Sequence, residues 1–292
     1  MTRWLFFRLW QVVNMNDKLK ELLNDKQFGI PFTLNNEESI AEKTGSSLKE
    51  IEDVAMSQGI VPLRFQRNLG AISLEEQRIL LHSKVSVIGC GGLGGFVIEE
   101  LARLGVGEIS AWDYDYFEEH NLNRQLMSET RLIGQSKTEA VSKRVNKINP
   151  LVKLNSIYRE FNEDAGKEML KEQQVVVDAL DNIKSRLELS ETCRCMGIPL
   201  VHGAVNTWYG QVSTQFPGEN VIEQLYEGKE TSMSGVKKPS VLVFMPAMVA
   251  SLQVAEVLKI LLNRGNLLRQ KIMMLDMLSM DIEVIDVPGN ED

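Results

Sequence analysis

Two hydrophobic periods alternate along most of the chain. Val85-Ser86-Val87-Ile88, Glu108–Trp112, Lys153–Tyr158, Val175–Ala179 and Leu200–Val205 are short apolar, β-rich runs, which predict buried strands. Between them the apolar residues fall three and four apart, the period of a helix packed on one face. Val97, Leu101 and Leu104 mark the first such helix at i, i+4 and i+7. Further helices are predicted at Ser136–Ile148, Glu163–Lys171, Asn182–Met196 and Pro246–Leu262. Asn149-Pro150 and Gly197 stop two of them. Tyr209–Phe216 and Lys271–Val287 read as closing strands, and Pro217–Ser240 as a long, polar, irregular loop. Strands alternating with helices predict an α/β fold, with a mostly parallel sheet and helices on both faces.

The first sixty residues follow another pattern. Asp17–Asn24, Glu37–Thr44 and Ser47–Gln58 predict small helices, and Pro62 marks a boundary. Ile40–Gly45 resembles the first half of a helix-turn-helix. Glu37, Glu38, Glu42, Glu50, Glu52 and Asp53 outnumber Lys43 and Lys49, which points to a packing or partner-docking module instead of a DNA reader. Leu63–Leu69 is an arm. Ser73–His82 is a helix in which Ser73 and Glu76 form a capping box. The opening stretch MTRWLFFRLWQVVN is too short to span a membrane and lacks a small-residue cleavage site. It reads as a leader upstream of a second start at Met15, with an interfacial anchor as the alternative. The expected division is 1–62, 63–287 and a tail at 288–292.

Composition narrows the function classes. At 292 residues the chain is long enough for one large domain or two smaller ones, and 43% hydrophobic with 25% charged residues is ordinary for a globular protein. A net charge of −8 and a pI near 5.2 disfavour a nucleic-acid partner. Three cysteines give no disulfide framework, so a reducing, cytoplasmic compartment is expected. No apolar run reaches the roughly 18 residues of a membrane span.

The candidate chemistry begins at the first strand. Gly89, Gly91 and Gly94 follow it in G-x-G-x-x-G spacing and open the helix. The next strand ends at Asp113. This is the Rossmann-like βαβ unit: the glycines admit a phosphate, the helix N-terminus supplies N–H donors, and the acid takes ribose hydroxyls. Asn121-Leu122-Asn123-Arg124-Gln125 lies in the loop after that acid, beyond the carboxyl ends of the strands. Ser136 and Glu139 predict a capping box that puts Lys137 at the first helical position. A cation there opposes the helix dipole at a typical cost of about 0.3–1 kcal/mol. Lys137 therefore either splays into water or answers a bound anion. Asp181 precedes a helix, as an N-cap or as an organiser of Mg²⁺ and phosphate. Asp115, two residues past Asp113, is a second metal candidate.

Taken in order, these motifs identify a family. The set comprises Arg64-Phe65-Gln66-Arg67, the Gly89–Gly95 loop, Asp113-x-Asp115, Asn121-x-Asn123-Arg124-Gln125, Gly134-Gln135-Ser136-Lys137, Ile148-Asn149-Pro150 and Asp178-Ala179-Leu180-Asp181-Asn182. From Leu63 to Val287 the sequence resembles the MoeB/ThiF/HesA family, the bacterial relatives of ubiquitin-activating enzymes. The resemblance implies ATP-dependent adenylation of the C-terminal carboxylate of a small ubiquitin-like protein ending in Gly-Gly, with release of pyrophosphate. It implies that Gly91 and Gly92 line the phosphates and that Asp113 holds ribose. Asn121, Arg124, Gln125 and Lys137 would contact phosphates or orient ATP. Asp181 and Asp115 would serve Mg²⁺, and Arg67 would act in trans within a homodimer.

The departures from the family carry equal weight. Many relatives have two C-x-x-C pairs for zinc; none occurs here, so no zinc site is expected. Pro217–Ser240 holds no cysteine, Cys90 reads as buried in the glycine turn, and Cys193 and Cys195, two apart on different faces of a helix, read as packing residues with exposure of one as the alternative, so no thioester is expected on this chain. A separate sulfur donor would then act on the adenylate. Three other readings are a nicotinamide dehydrogenase, which gives no reason for Arg124, Lys137 and Asp181 together, a non-enzymatic nucleotide-binding scaffold, and adenylation of a tRNA-base carboxylate, which the acidic pI opposes.

Overall fold

The computed structural model describes residues 19–23, 31–228 and 240–288. The stretch MTRWLFFRLWQVVN and Met15 lie outside these residues. Two compact units are present, Met1–His82 and Ser83–Asp292.

In the first unit, residues 19–23 are helical and three helices follow: α1 (Leu34–Thr44), α2 (Leu48–Ser57) and α3 (Leu74–His82). Helix α1 starts three residues before the predicted Glu37. Thr33 and Asn36 cap each other reciprocally, an Asn variant of the Ser/Thr-x-x-Glu signal. Ser47 with Glu50 and Ser73 with Glu76 form the expected boxes. Leu19, Leu23, Phe32, Ile40, Ile51 and Ala55 make a small core.

Beside that core, two of the glutamates that argued against DNA binding are fully buried. Glu37 and Glu52 both accept from the Arg64 guanidinium, Glu52 at 2.8 Å. One oxygen of each has no partner. Burial pushes the carboxyls up, Glu37 to about 7 and Glu52 to about 8, while Arg64 pulls the other way. Folded values above the unfolded 4.5 mean that the contribution to stability is full below pH 4.5. It is lost as the pH rises through about 7 and 8. Glu52→Gln keeps an acceptor for Arg64 and removes the buried charge. It should stabilise this unit at pH 8 by on the order of 1–3 kcal/mol and have little effect at pH 5. Thermal melts at the two pH values check this.

The second unit is an eight-stranded sheet ordered β3-β2-β1-β4-β5-β6-β7-β8. In chain order the elements are β1 (Lys84–Ile88), α4 (Gly92–Leu104), β2 (Glu108–Trp112), α5 (Lys137–Ile148), β3 (Lys153–Ile157), α6 (Glu163–Met169), β4 (Val175–Asp178), α7 (Ile183–Met196), β5 (Leu200–Asn206), β6 (Tyr209–Gln215), α8 (Val221–Tyr226), α9 (Phe244–Leu262), β7 (Lys271–Asp276) and β8 (Asp281–Asp286). Strands β1 to β5 are parallel to their neighbours; β5 through β8 pair antiparallel. Helices α4, α5 and α9 cover one face and α6, α7 and α8 the other. Val175, Val176 and Val177, wholly buried on β4, show why its sequence is an unbroken apolar run.

Two features differ from expectation. Helix α9 is, by length and composition, apolar enough to cross a membrane. It is a core helix nonetheless: Val249, Ala250, Val254 and Val257 are buried on the sheet. Its buried Gln253 donates to Asp178 O at 2.8 Å, and its buried Glu256 accepts from Thr214 Oγ1 at 2.6 Å. The span predicted as loop at Pro217–Ser240 contains α8, with Val221, Ile222 and Tyr226 buried; residues 229–239 lie outside the described set.

Register positions the site. Ile88 stands opposite Trp112 on β2 and Asp178 on β4. The three central strands therefore end level, and the loops leaving them converge at one edge.

Candidate nucleotide site

A cleft opens at that edge, at the switch point between β1 and β4 where the strand order reverses. Its floor is the glycine turn. Gly89 has φ +104°, and a Cβ there would meet Ala179 O at 2.6 Å. At Gly94 a Cβ would lie 1.7 Å from Gly89 O, so the first turn of α4 packs directly on the loop. Gly91 is the N-cap of α4 and has no side-chain cap, which leaves the first N–H groups of a thirteen-residue helix facing the cleft.

Asp113 does more than end a strand. Its Oδ2 accepts from Cys90 N–H and its Oδ1 from Asp115 N–H, each at 2.8 Å. The carboxylate thus ties the glycine turn to the loop after β2, and it lines the cleft.

Lys137 is at the first position of α5, as predicted, but it neither splays into water nor stands alone. It is buried, with Nζ 2.7 Å from Asp115 Oδ2 and 4.0 Å from Asp113 Oδ1. Asp115, the second metal candidate, has one of its carboxylate oxygens held by this lysine. The capping box from Ser136 to Glu139 also fails to form. Ser136 makes no cap bond and meets Thr138 Oγ1 at 3.0 Å instead.

Asp181 is not the N-cap of α7. Asn182 is: its Oδ1 accepts from Ser185 N–H at 2.9 Å, which leaves the Asp181 side chain to line the cleft. Arg124 lines it too, its guanidinium steadied by His120 O at 3.0 Å and Asn123 Oδ1 at 2.8 Å. Gln125 is buried beside Gly91, with its Oε1 unpartnered. Gly89, Gly91, Gly92, Asp113, Asp115, Arg124, Gln125, Lys137 and Asp181 therefore come together in one cleft.

Asn121 does not join them. It is buried and accepts from Glu118 N–H at 3.0 Å, holding its own loop. Gly94 acts through packing alone. Arg67 belongs to the first unit and is not among the lining residues. Burial pushes the thiols of Cys90 and Cys193 well up; Cys195 is exposed on α7.

The cleft also contains residues that the sequence reading missed. Trp112 and Phe161 form an apolar wall in edge contact, 5.7 Å between ring centroids, and Arg159 lies at its rim. Arg186, one helical turn beyond the Asn182 cap, reaches the cleft from α7. Its spacing from Asp181-Asn182 was the signal available. A glycine turn under a helix N-terminus, a ribose-type acid, the four cations Arg124, Lys137, Arg159 and Arg186, and the carboxylates Asp115 and Asp181 suit a nucleoside phosphate carrying several negative charges.

Comparison with known proteins agrees. The description "ThiF family" matches residues 65–292. The SAMP-activating enzyme E1 of Haloferax volcanii is 34% identical over 233 residues, 78% of this chain and 86% of that protein. The molybdopterin-synthase adenylyltransferase of Haemophilus influenzae is 29% identical over 232 residues, covering 78% and 96%. Among solved structures, E. coli MccB with ATP superposes with a TM-score of 0.67 at 20% identity, over 86% of this chain and 82% of that one, and shares the fold. The motif order, the cleft and these matches lead to one conclusion: the chain belongs to the ThiF family.

Proposed function

We propose that this chain is an ATP-dependent adenylyltransferase acting on the C-terminal carboxylate of a small ubiquitin-like sulfur carrier. One observation carries the reading: the glycine turn, Arg124, Lys137 and Asp181 line a single cleft at the switch point of the sheet. The names of the relatives, a SAMP-activating E1 and a molybdopterin-synthase adenylyltransferase, support it. A carboxylate oxygen attacks the α-phosphorus of ATP, the bond to the β-phosphate oxygen breaks, and pyrophosphate leaves. The chain's part is alignment and charge. The α4 N-terminus, Arg124 and Lys137 receive phosphate oxygens, Asp113 takes the ribose, and the Trp112–Phe161 wall holds the base. Mg²⁺ suits Asp181, a carboxylate set among phosphate-binding groups, and supplies further neutralisation when bound.

A protein substrate, as opposed to a free acid, is supported by the far end of the sheet. Leu278, Met280, Ile282 and Val284 on and beside β8 are 66%, 73%, 56% and 51% exposed. Apolar surface of that kind marks a protein contact. Adenylation needs no thiol here: Cys90 and Cys193 are buried, and the exposed Cys195 is not among the residues lining the cleft and has its thiol pushed up by its hydrogen bond to Glu191.

Incubated with a candidate carrier, ATP and Mg²⁺, the enzyme should add the mass of AMP to the carrier. Deleting the carrier's last glycine should abolish this. Equal adenylation of the truncated carrier, or exchange supported by tRNA or a small acid, would overturn the substrate assignment. The motif around Arg67 further supports a two-fold dimer in which Arg67 completes the partner's site. Mixing Arg67→Ala with Lys137→Ala should then restore part of the activity, and no recovery would refute the shared site.

A further inference from the structure

Arg186 is 8% exposed, lines the cleft, and spends few of its five N–H groups on the protein. Nη2 donates to Leu180 O at 2.5 Å and Nη1 to the Tyr226 hydroxyl. Nε has no hydrogen-bond partner and stands 3.8 Å from Asp178 Oδ2. Asp178 faces Nε, so the N–H groups left for a ligand are the second hydrogens of Nη1 and Nη2, and leaving them without a partner when buried is costly.

Behind it runs a chain of buried polar groups. His202 is fully buried, and its Nδ1 lies 2.6 Å from Asp178 Oδ2. Burial lowers the His202 pKa, so the ring is neutral, with Nδ1–H donating to Asp178 and Nε2 left as an acceptor. The Tyr226 oxygen lies 3.2 Å from that Nε2 and 3.0 Å from Gln211 Nε2. Arginine can only donate, so the phenol accepts from Arg186, while the Gln211 amide, 3.1 Å from His202 Nε2, donates to the ring and the phenol. The series Arg186–Tyr226–His202–Asp178 thus holds the guanidinium from behind. The tyrosine ends α8.

The partners also show which half of the cleft Arg186 serves. They sit on β4, β5, β6 and α8, while the glycine turn and the ribose acid belong to β1 and β2. On the adenylation reading above, the nucleotide occupies the β1–β2 half, which leaves the acyl group to the other. We infer that Arg186 is a binding residue for the acyl substrate, taking the carboxylate or the last peptide carbonyls of the carrier tail, and that Asp178, His202 and Tyr226 are positioning residues that fix its fork.

Steady-state pyrophosphate exchange with the carrier, read with calorimetric binding of a non-hydrolysable ATP analogue, tests this. Arg186→Lys keeps the charge but loses the planar fork. It should raise the KM for carrier at least ten-fold and leave the affinity for the analogue within two-fold. Tyr226→Phe removes one hydroxyl and should shift the carrier KM the same way by about three- to ten-fold. If Arg186→Lys does not fold, Tyr226→Phe decides alone. An unchanged carrier KM in folded variants, or an equal loss of analogue binding, would overturn the assignment. Absence of exchange in the wild type would instead overturn the carrier reading, and the acyl role with it.

Discussion

Lys137→Ala is expected to lower ATP–pyrophosphate exchange by about two to three orders of magnitude, the usual cost of removing one preorganised charge from a developing phosphate anion. The fold should survive. Asp115, the lysine's partner, is 52% exposed and can be rehydrated once the amine is gone. The N-terminus of α5 also loses a cation that opposes its dipole. The melting temperature should therefore move little while activity collapses. Exchange kinetics together with a thermal melt check both halves, and near-wild-type exchange in a folded Lys137→Ala protein would remove lysine from the site.

Gly94→Ala should fail for a different reason. Its Cβ would stand 1.7 Å from Gly89 O, a backbone atom with no freedom to rotate aside. Either the glycine turn or the start of α4 must move. We expect a loss on the order of 2–4 kcal/mol in stability and no measurable nucleotide binding. Gly91→Ala is the informative contrast. The nearest atom to its added Cβ is Gln125 Nε2 at 3.5 Å, ordinary contact, so the fold is kept. A methyl at the mouth of the helix should only weaken nucleotide binding. Calorimetric titration and denaturant melts of the two variants distinguish a packing glycine from a ligand-facing one.

The contrast between these glycines indicates what the sequence could reveal. Spacing placed Gly89, Gly91 and Gly94 in one turn, but only the packed loop separates their duties. Local signals served best where both partners are close in the chain. The Ser73–Glu76 box, the βαβ unit and the place of Lys137 at the start of α5 were all legible. Asp181 was ambiguous because Asn182, an equally good cap, follows it, and sequence alone does not choose between adjacent caps. The partner of Lys137 was hidden for a different reason. Asp115 lies 22 residues away, and it becomes a neighbour only because the loop between them folds back, with Lys137 N–H donating to Asp115 O at 3.1 Å. The same holds for Arg186, Tyr226 and His202, whose meeting needs β4, β5, α7 and α8 assembled. Glu37 and Glu52 read as solvated charge because nothing local marks a glutamate that will share a buried arginine. Helix α8 was missed within a polar stretch because six residues are too few to show a period.

The Lys137–Asp115 pair has a bearing on how the cleft meets small ions. A lysine already held at 2.7 Å by a carboxylate presents little net attraction to chloride, sulfate or free phosphate. A nucleotide must exchange one counterion for another, and only a ligand that also engages the helix N-terminus and Arg124 recovers that exchange. Nucleotide affinity should therefore depend weakly on ionic strength, and simple anions should be poor competitors even at concentrations that screen exposed charges.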